Sequence, residues 1–196
     1  IFNGAQLAVK DINAAGGING KQVELVSQDD KSDPKEAAAI ATKFTADDRL
    51  IAVVGGYNSS CGLAGAPIYN EAKIPYIAYG TSPVFATEHG PCVFRISVTD
   101  EAQGVFGANW MLEDGHKRAA IIYENSDYGR GLLDVVSKEY TAKGGEIVTS
   151  ETYMLGETKD FNGILTKIKA AGVDAIYLGG CYTEQALIVK QARDLG

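Results

Sequence analysis

No stretch of this sequence stays apolar for the ~20 residues that a membrane-spanning helix requires. No cluster of lysine and arginine interrupts an acidic balance of 25 Asp and Glu against 18 Lys and Arg, a net charge of -7. The first absence argues against a transmembrane segment within these residues. The second argues against nucleic acid or an anionic lipid surface as partner. Histidine occurs twice, as His89 in "TEHGP" and His116 in "EDGHKR", and both read as solvated loop or helix-end residues. Cysteine occurs three times, as Cys61, Cys92 and Cys181, without a CxxC pair and without a cluster of histidines around them. One disulfide at most is open to them, and the plain reading is buried free thiols.

Catalytic signatures are equally scarce. No HExxH or related metal spacing occurs, no GxSxG surrounds a serine, and no GxxxxGK[ST] is present. "YGRGLL" contains GxG but lacks the third glycine of a dinucleotide fingerprint. Asp29, Asp30 and Asp33 read as a loop followed by a helix cap rather than a cation site. No metal and no cofactor is expected. Asn58-Ser59-Ser60 fits a glycosylation sequon, but such matches are common by chance. There is no signal peptide. The chain opens inside a helical pattern, "IFNGAQLAVKDINAAGG", as if something precedes it.

What is present is an ordinary globular composition, 45% hydrophobic and 22% charged, in which two periodicities alternate along all 196 residues. Ala5, Ala8, Val9 and Ile12 follow helical spacing until Gly16-Gly17. "QVELVSQ" (22–28) reads as a strand. Asp33, Pro34 and Glu36 open a helix as cap, first helical residue and capping-box partner. "LIAVVGG" (50–56) is a short apolar run of the kind that helices cover on both faces. A helix over 60–72 and strands over 74–80 and 92–97 follow, then a helix from Asp100 to about Glu113 in which Trp110 reads as core. The pattern restarts with a strand at 118–125, a helix at 128–143 and a strand at 146–153. A helix capped by Asp160, a strand at 174–180 and a helix at 183–195 complete the chain. Alternation at this spacing means βαβ units. The expected fold class is α/β: two Rossmann-like lobes with parallel sheets flanked by helices, residues 1–117 and 118–196.

Ligands bind past the carboxyl ends of parallel strands, and four such places carry polar groups: Tyr57 to Ser60, Gly80 to Ser82, Asn125 to Tyr128, and Cys181 to Thr183. Ser59 and Ser60 fall where a helix begins. Its free N–H groups and dipole favour an anion such as a carboxylate there. Gly80, Thr81 and Ser82 complete a small polar clamp. Tyr57, Tyr79, Tyr128 and Tyr182 lie at strand ends, where they serve either as half-buried packing or as a cleft wall with polar tips.

"FNGAQLAVKDINAAGGINGKQVELVSQDDKSDPKEAAAIATKF", "GGYNSSCG", "YGTSP", "YENSDYGRG", "KDFNGILTKIKAAGVDAIYLGG" and "KQARDLG" follow one another in an order that resembles the periplasmic leucine/isoleucine/valine-binding proteins. These are type I solute-binding proteins of ABC importers, and the resemblance covers essentially the whole chain. It implies that Ser59, with Ser60 beside it, meets a ligand carboxylate. Gly80 then presents a carbonyl to the ammonium and Ser82 a hydroxyl to both groups. Tyr128 closes over the ligand from the second lobe, and Cys181 stands at an aromatic position that Tyr182 can take over. The resemblance further implies a non-catalytic, extracytoplasmic protein with a small-molecule ligand and membrane permease partners.

Departures accompany it. The family's first strand and glycine-rich loop have no counterpart before the opening helix, and its ammonium-binding acid falls after Gly196. The expectation is therefore a fragment, whose open sheet edge invites self-association. The family's small disulfide is replaced by Ser32 and Asn58. Two other readings stand beside the transporter one: the sensor domain of a receptor or histidine kinase, and a nucleotide-using Rossmann-type enzyme.

Overall fold

Strands that are apolar on both faces need helices on both faces; the second lobe supplies this arrangement, while in the first helices cover one face and Val54 and Phe94 on the other are about half exposed. The computed structural model describes residues 1–196. In the first lobe β1 (Val53–Gly55), β2 (Tyr76–Ala78) and β3 (Val93–Arg95) pair in parallel in the order β1-β2-β3. In the second, β4 (Arg118–Glu124) lies between β5 (Glu146–Tyr153) and β6 (Ala175–Gly179), again all parallel. The expected α/β architecture of two parallel sheets flanked by helices is thus what forms.

The alternation of side chains along β4 builds two cores at once. Ala120 and Ile122 face Phe161, Leu165, Ile168 and Ile188, the last three on α6 (Asn162–Ala170) and α7 (Tyr182–Asp194). Ala119 and Ile121 face the other way, onto Val136 and Tyr140 of α5 (Asp127–Ala142) and Ala108 of α4 (Asp100–Glu113). The first lobe's core is smaller: Ala41 of α2 (Pro34–Thr45) and Ala66 and Tyr69 of α3 (Ser59–Glu71) pack on Tyr76, Ala78 and Val93.

That packing moves the boundary between the lobes. The expected division at 117/118 leaves α4 in the first lobe, yet its inward face belongs to the second core. A side chain at Gly104 would strike Val135, and one at Gly107 would strike Tyr177. Gly104, Gly107, Ala108 and Met111 form the i, i+3, i+4, i+7 stripe that a helix buries. The crossing between lobes therefore precedes α4, next to Ser97, whose hydroxyl donates to the Thr81 carbonyl at 3.4 Å.

The same stripe corrects the expectation for Trp110. Small residues face the core, so Phe106 and Trp110 occupy the opposite face, 70% and 65% exposed, with ring centroids 6.4 Å apart. Residues 22–28 form no strand, because no neighbouring strand pairs with them. Asn13 instead bonds both backbone groups of Val23, at 2.7 and 2.8 Å. α1 (Phe2–Ala14) correspondingly buries none of its residues.

Local capping follows the sequence with two changes. Asp33 caps α2 through the Lys35 N–H at 2.8 Å. Its own N–H goes to the Asp30 carbonyl, so the Glu36 capping box does not close. Asp160 accepts from the Asn162 N–H, one residue earlier than a helix cap, and Phe161 occupies the cap position of α6. Asp29 and Asp30 each accept a backbone N–H two residues on, as turn-forming residues do. The three cysteines are free: Cys61 is buried, while Cys92 and Cys181 are only half-buried. His89 is half-buried too, with Nε2 enclosed and unpartnered, rather than solvated. No helix is long and apolar enough to cross a membrane.

Candidate functional site

Parallel strands deliver their following turns to one edge of each sheet, and the two edges face each other across a cavity of about 350 Å³. From the first lobe come Tyr57, Asn58 and Ser59 after β1, then Gly80 and Ser82 after β2. From the second come Glu124 at the end of β4 and Tyr128 after it, and Gly180, Cys181, Tyr182 and Gln185 after β6. Because β4 is the central strand, with β5 on one side and β6 on the other, these last turns flank the point where the winding of the sheet reverses. That is the crevice in which open α/β sheets bind ligands.

The backbone at this edge is tight for stated reasons. Gly56 has φ +69°, and a Cβ on it would lie 2.2 Å from the Tyr76 hydroxyl. A Cβ on Gly80 would lie 2.3 Å from the Tyr57 carbonyl oxygen, so only glycine lets the two turns approach. Ser59 is 2% exposed, and its hydroxyl accepts the Ser82 N–H at 3.3 Å, tying the turns together. The Ser82 hydroxyl donates to the Gly80 carbonyl at 3.2 Å. Asn58 precedes α3 without making a side-chain cap bond. The first N–H groups of the helix are therefore left for an anion, on the positive end of its dipole.

Seven of the ten expected residues line the cavity: Tyr57, Ser59, Gly80, Ser82, Tyr128, Cys181 and Tyr182. Three do not. The Thr81 hydroxyl turns inward to donate to the Gly56 carbonyl at 3.0 Å, and Thr81 packs against Gly62. Tyr79 is 42% exposed and lies off the cavity. Ser60 reaches across to the other lobe: its hydroxyl donates to Asp127 Oδ2 at 2.6 Å and accepts the Asp127 N–H at 3.2 Å. It joins the lobes rather than lining the space between them.

Tyr128 donates to Gln103 Oε1 at 3.0 Å, and burial raises its phenol above the ordinary tyrosine range. The Cys181 thiol is pushed up to about 12, chiefly by burial and then by the neighbouring Glu124. Burial also raises Tyr57. These walls are therefore neutral hydrogen-bonding groups near neutral pH. No group of three or more His, Cys, Asp or Glu is placed to hold a metal.

Sequence reasoning missed Asn58, Glu124, Gly180 and Gln185. Glu124 had a signal, being the one charged residue in "AAIIYE", at the carboxyl end of a buried strand. Gln185 sits in the first turn of α7 and braces that turn through the Leu178 and Gly180 carbonyls.

Comparison with known proteins places this cleft in context. The family model described as "Periplasmic binding protein" matches residues 1–196. The chain is 38% identical, over its whole length, to an "Amino acid binding protein" of Pseudomonas aeruginosa, of which it covers 52%. It is 36% identical to "Leu/Ile/Val-binding protein homolog 2" of Brucella abortus, covering all of this chain and 53% of that one. Among solved structures it resembles the branched-chain amino acid transporter substrate binding protein LivJ from Streptococcus pneumoniae, in complex with isoleucine. There the TM-score is 0.89 and the identity 37%, over 98% of this chain and 55% of that one. The chain thus spans about half the length of the relatives it matches. With two parallel-sheet lobes, a cleft between their carboxyl edges and a match from first residue to last, the chain belongs to the periplasmic binding protein family.

Proposed function

We propose that this chain is the ligand-binding part of an extracytoplasmic, non-catalytic solute-binding protein that serves the permease of an ABC importer. It takes a branched-chain or related amino acid, or a small carboxylate, between its lobes. The observation that carries the reading is the uncapped start of α3 beside the Ser59–Ser82 pair, opening into a cavity that both lobes line. The carboxylate meets the α3 N-terminus and the serine hydroxyls, and the Gly80 carbonyl accepts from the ammonium. Tyr57, Tyr128 and Tyr182 close around the side chain. The relatives, an amino acid binding protein and a branched-chain amino acid transporter substrate binding protein, favour an importer over a receptor domain.

The experiment is calorimetric titration with L-leucine, L-isoleucine, L-valine and 4-hydroxybenzoate. Saturable binding of at least one amino acid is expected, and binding of none of the four would refute the reading.

Closure of the lobes is the motion such a cleft needs, and Ser60 with Asp127 spans them. Ser60→Ala removes two interlobe hydrogen bonds at a partly solvated site, where they contribute on the order of 1 kcal/mol. Dissociation of every bound ligand should quicken by about fivefold, with little change in relative preference. Stopped-flow displacement measures it, and a change in preference among ligands would contradict a purely interlobe role.

A further inference from the structure

Glu124 is 2% exposed, lies at the end of the central strand β4 and lines the cavity. The Ser126 hydroxyl donates to its Oε1 at 2.6 Å, and the Cys181 N–H donates to its Oε2 at 2.9 Å. Neither donor carries a full charge. Glu124 takes part in no ion pair of the structure; Arg130, on the neighbouring helix, is bonded to Asn125 and Asp127 instead. No lysine, arginine or histidine lines the cavity, where every other lining side chain is uncharged. A buried charge without a counter-charge is costly. A glutamine carbonyl could hold the Cys181 N–H without that cost, so the two turn contacts do not account for a carboxylate at this position.

Resting on the amino-acid reading above, we infer that Glu124 contacts the ligand and selects molecules that carry a positively charged nitrogen as well as a carboxylate. A carboxylate offers about four acceptor directions. The Ser126 hydroxyl and the Cys181 N–H take two and hold the side chain in place, the Cys181 thiol lies against a third, and the side chain still lines the cavity, where a cation can meet it. The charge also orients the ligand. It repels a carboxylate from the second lobe, while the α3 N-terminus and Ser59 attract it to the first. Acids that lack an amine lose this contact and gain the repulsion.

The test compares L-leucine with 4-methylpentanoate, the same carbon skeleton without the amine, by calorimetry on the wild-type protein and on Glu124→Gln. Wild type should prefer L-leucine. In Glu124→Gln the preference should fall by about tenfold or more, through weaker leucine binding, while 4-methylpentanoate binds as well or better. Glu124→Asp keeps the charge but draws it back by one methylene. It should lower the preference by a smaller factor, and it serves where the glutamine variant does not fold. An unchanged preference in either folded variant overturns the inference and leaves the carboxylate clamp standing. The same holds for a wild type that binds 4-methylpentanoate as well as L-leucine. Where neither probe binds, the comparison is repeated with whichever of L-isoleucine and L-valine binds and its des-amino acid, with the same outcomes deciding; binding of no amino acid overturns the inference.

Discussion

Ser59→Ala should weaken binding of every carboxylate ligand by roughly 10- to 150-fold, the equivalent of about 1.5–3 kcal/mol for a hydrogen bond to a charged group. Two losses combine. The ligand loses a hydroxyl donor at the α3 N-terminus, and the Ser82 N–H loses its buried acceptor. Ser82 is itself 5% exposed, so its N–H is left with little access to water. The turn after β2 is therefore held less firmly against the turn after β1, and the clamp loosens as well as shortens. Because the effect falls on the carboxylate, it should be the same for ligands with different side chains. Titration of the variant with an L-amino acid and with its des-amino acid separates this from a specificity effect. Affinity within twofold of wild type for both, where wild type binds both, would remove Ser59 from the site.

Asp100→Asn should remove the loss of stability that this one buried carboxyl imposes between pH 4 and 8. Asp100 begins α4, is 3% exposed, and neither carboxyl oxygen finds a hydrogen-bond partner. Arg95 lies close enough to oppose the shift, while α5 presses in so closely that a Cβ on Gly131 would lie 2.2 Å from Oδ2. Burial prevails and lifts its pKa from 3.8 to about 7. The folded state then holds the proton more tightly than the unfolded state does. The contribution of Asp100 to stability is therefore greatest below about pH 4, falls as pH rises toward 7, and is flat above. The loss is on the order of 2 kcal/mol once screening by nearby water is allowed for. The asparagine variant, neutral throughout, should be more stable than wild type at pH 8 by that amount and little different at pH 4. Urea unfolding at the two pH values measures it, and parallel pH profiles for both proteins would contradict the assignment.

Those two residues illustrate what is legible in a sequence. Ser59 sits after a continuous apolar strand and before a helix, so local pattern alone places it at a parallel-sheet edge. Asp100 is legible as a helix start but not as a buried charge, since its burial depends on α5 lying across it. The same distinction explains the other outcomes. The lobes, their parallel sheets and the four polar turns follow from alternating periodicity, which is local information. A strand at 22–28 requires a partner, and periodicity does not say whether one exists. α4 is apolar on more than one face, and the fold buries the glycine-rich face because two helices approach most closely there. Trp110 is displaced outward as a result.

Within the site, Ser59 and Ser60 are adjacent, yet one helical step separates a cavity wall from a contact with the opposite lobe. That rotation of about 100° per residue becomes decisive only once the position of α5 is known. Glu124 is hard to read for a related reason: the polar pattern marks the turns after the strands, and the residue that charges the cavity is the last one of the strand itself.

The central claim is that the cleft binds a carboxylate-bearing amino acid rather than a nucleotide. Thermal unfolding of the protein in the presence of L-leucine, 4-methylpentanoate and ATP in separate titrations tests it most directly. A ligand held at 100 times its dissociation constant adds about 2.7 kcal/mol of stability. The account predicts a rising midpoint with L-leucine, a smaller rise with 4-methylpentanoate and none with ATP. Stabilisation by ATP alone would contradict it.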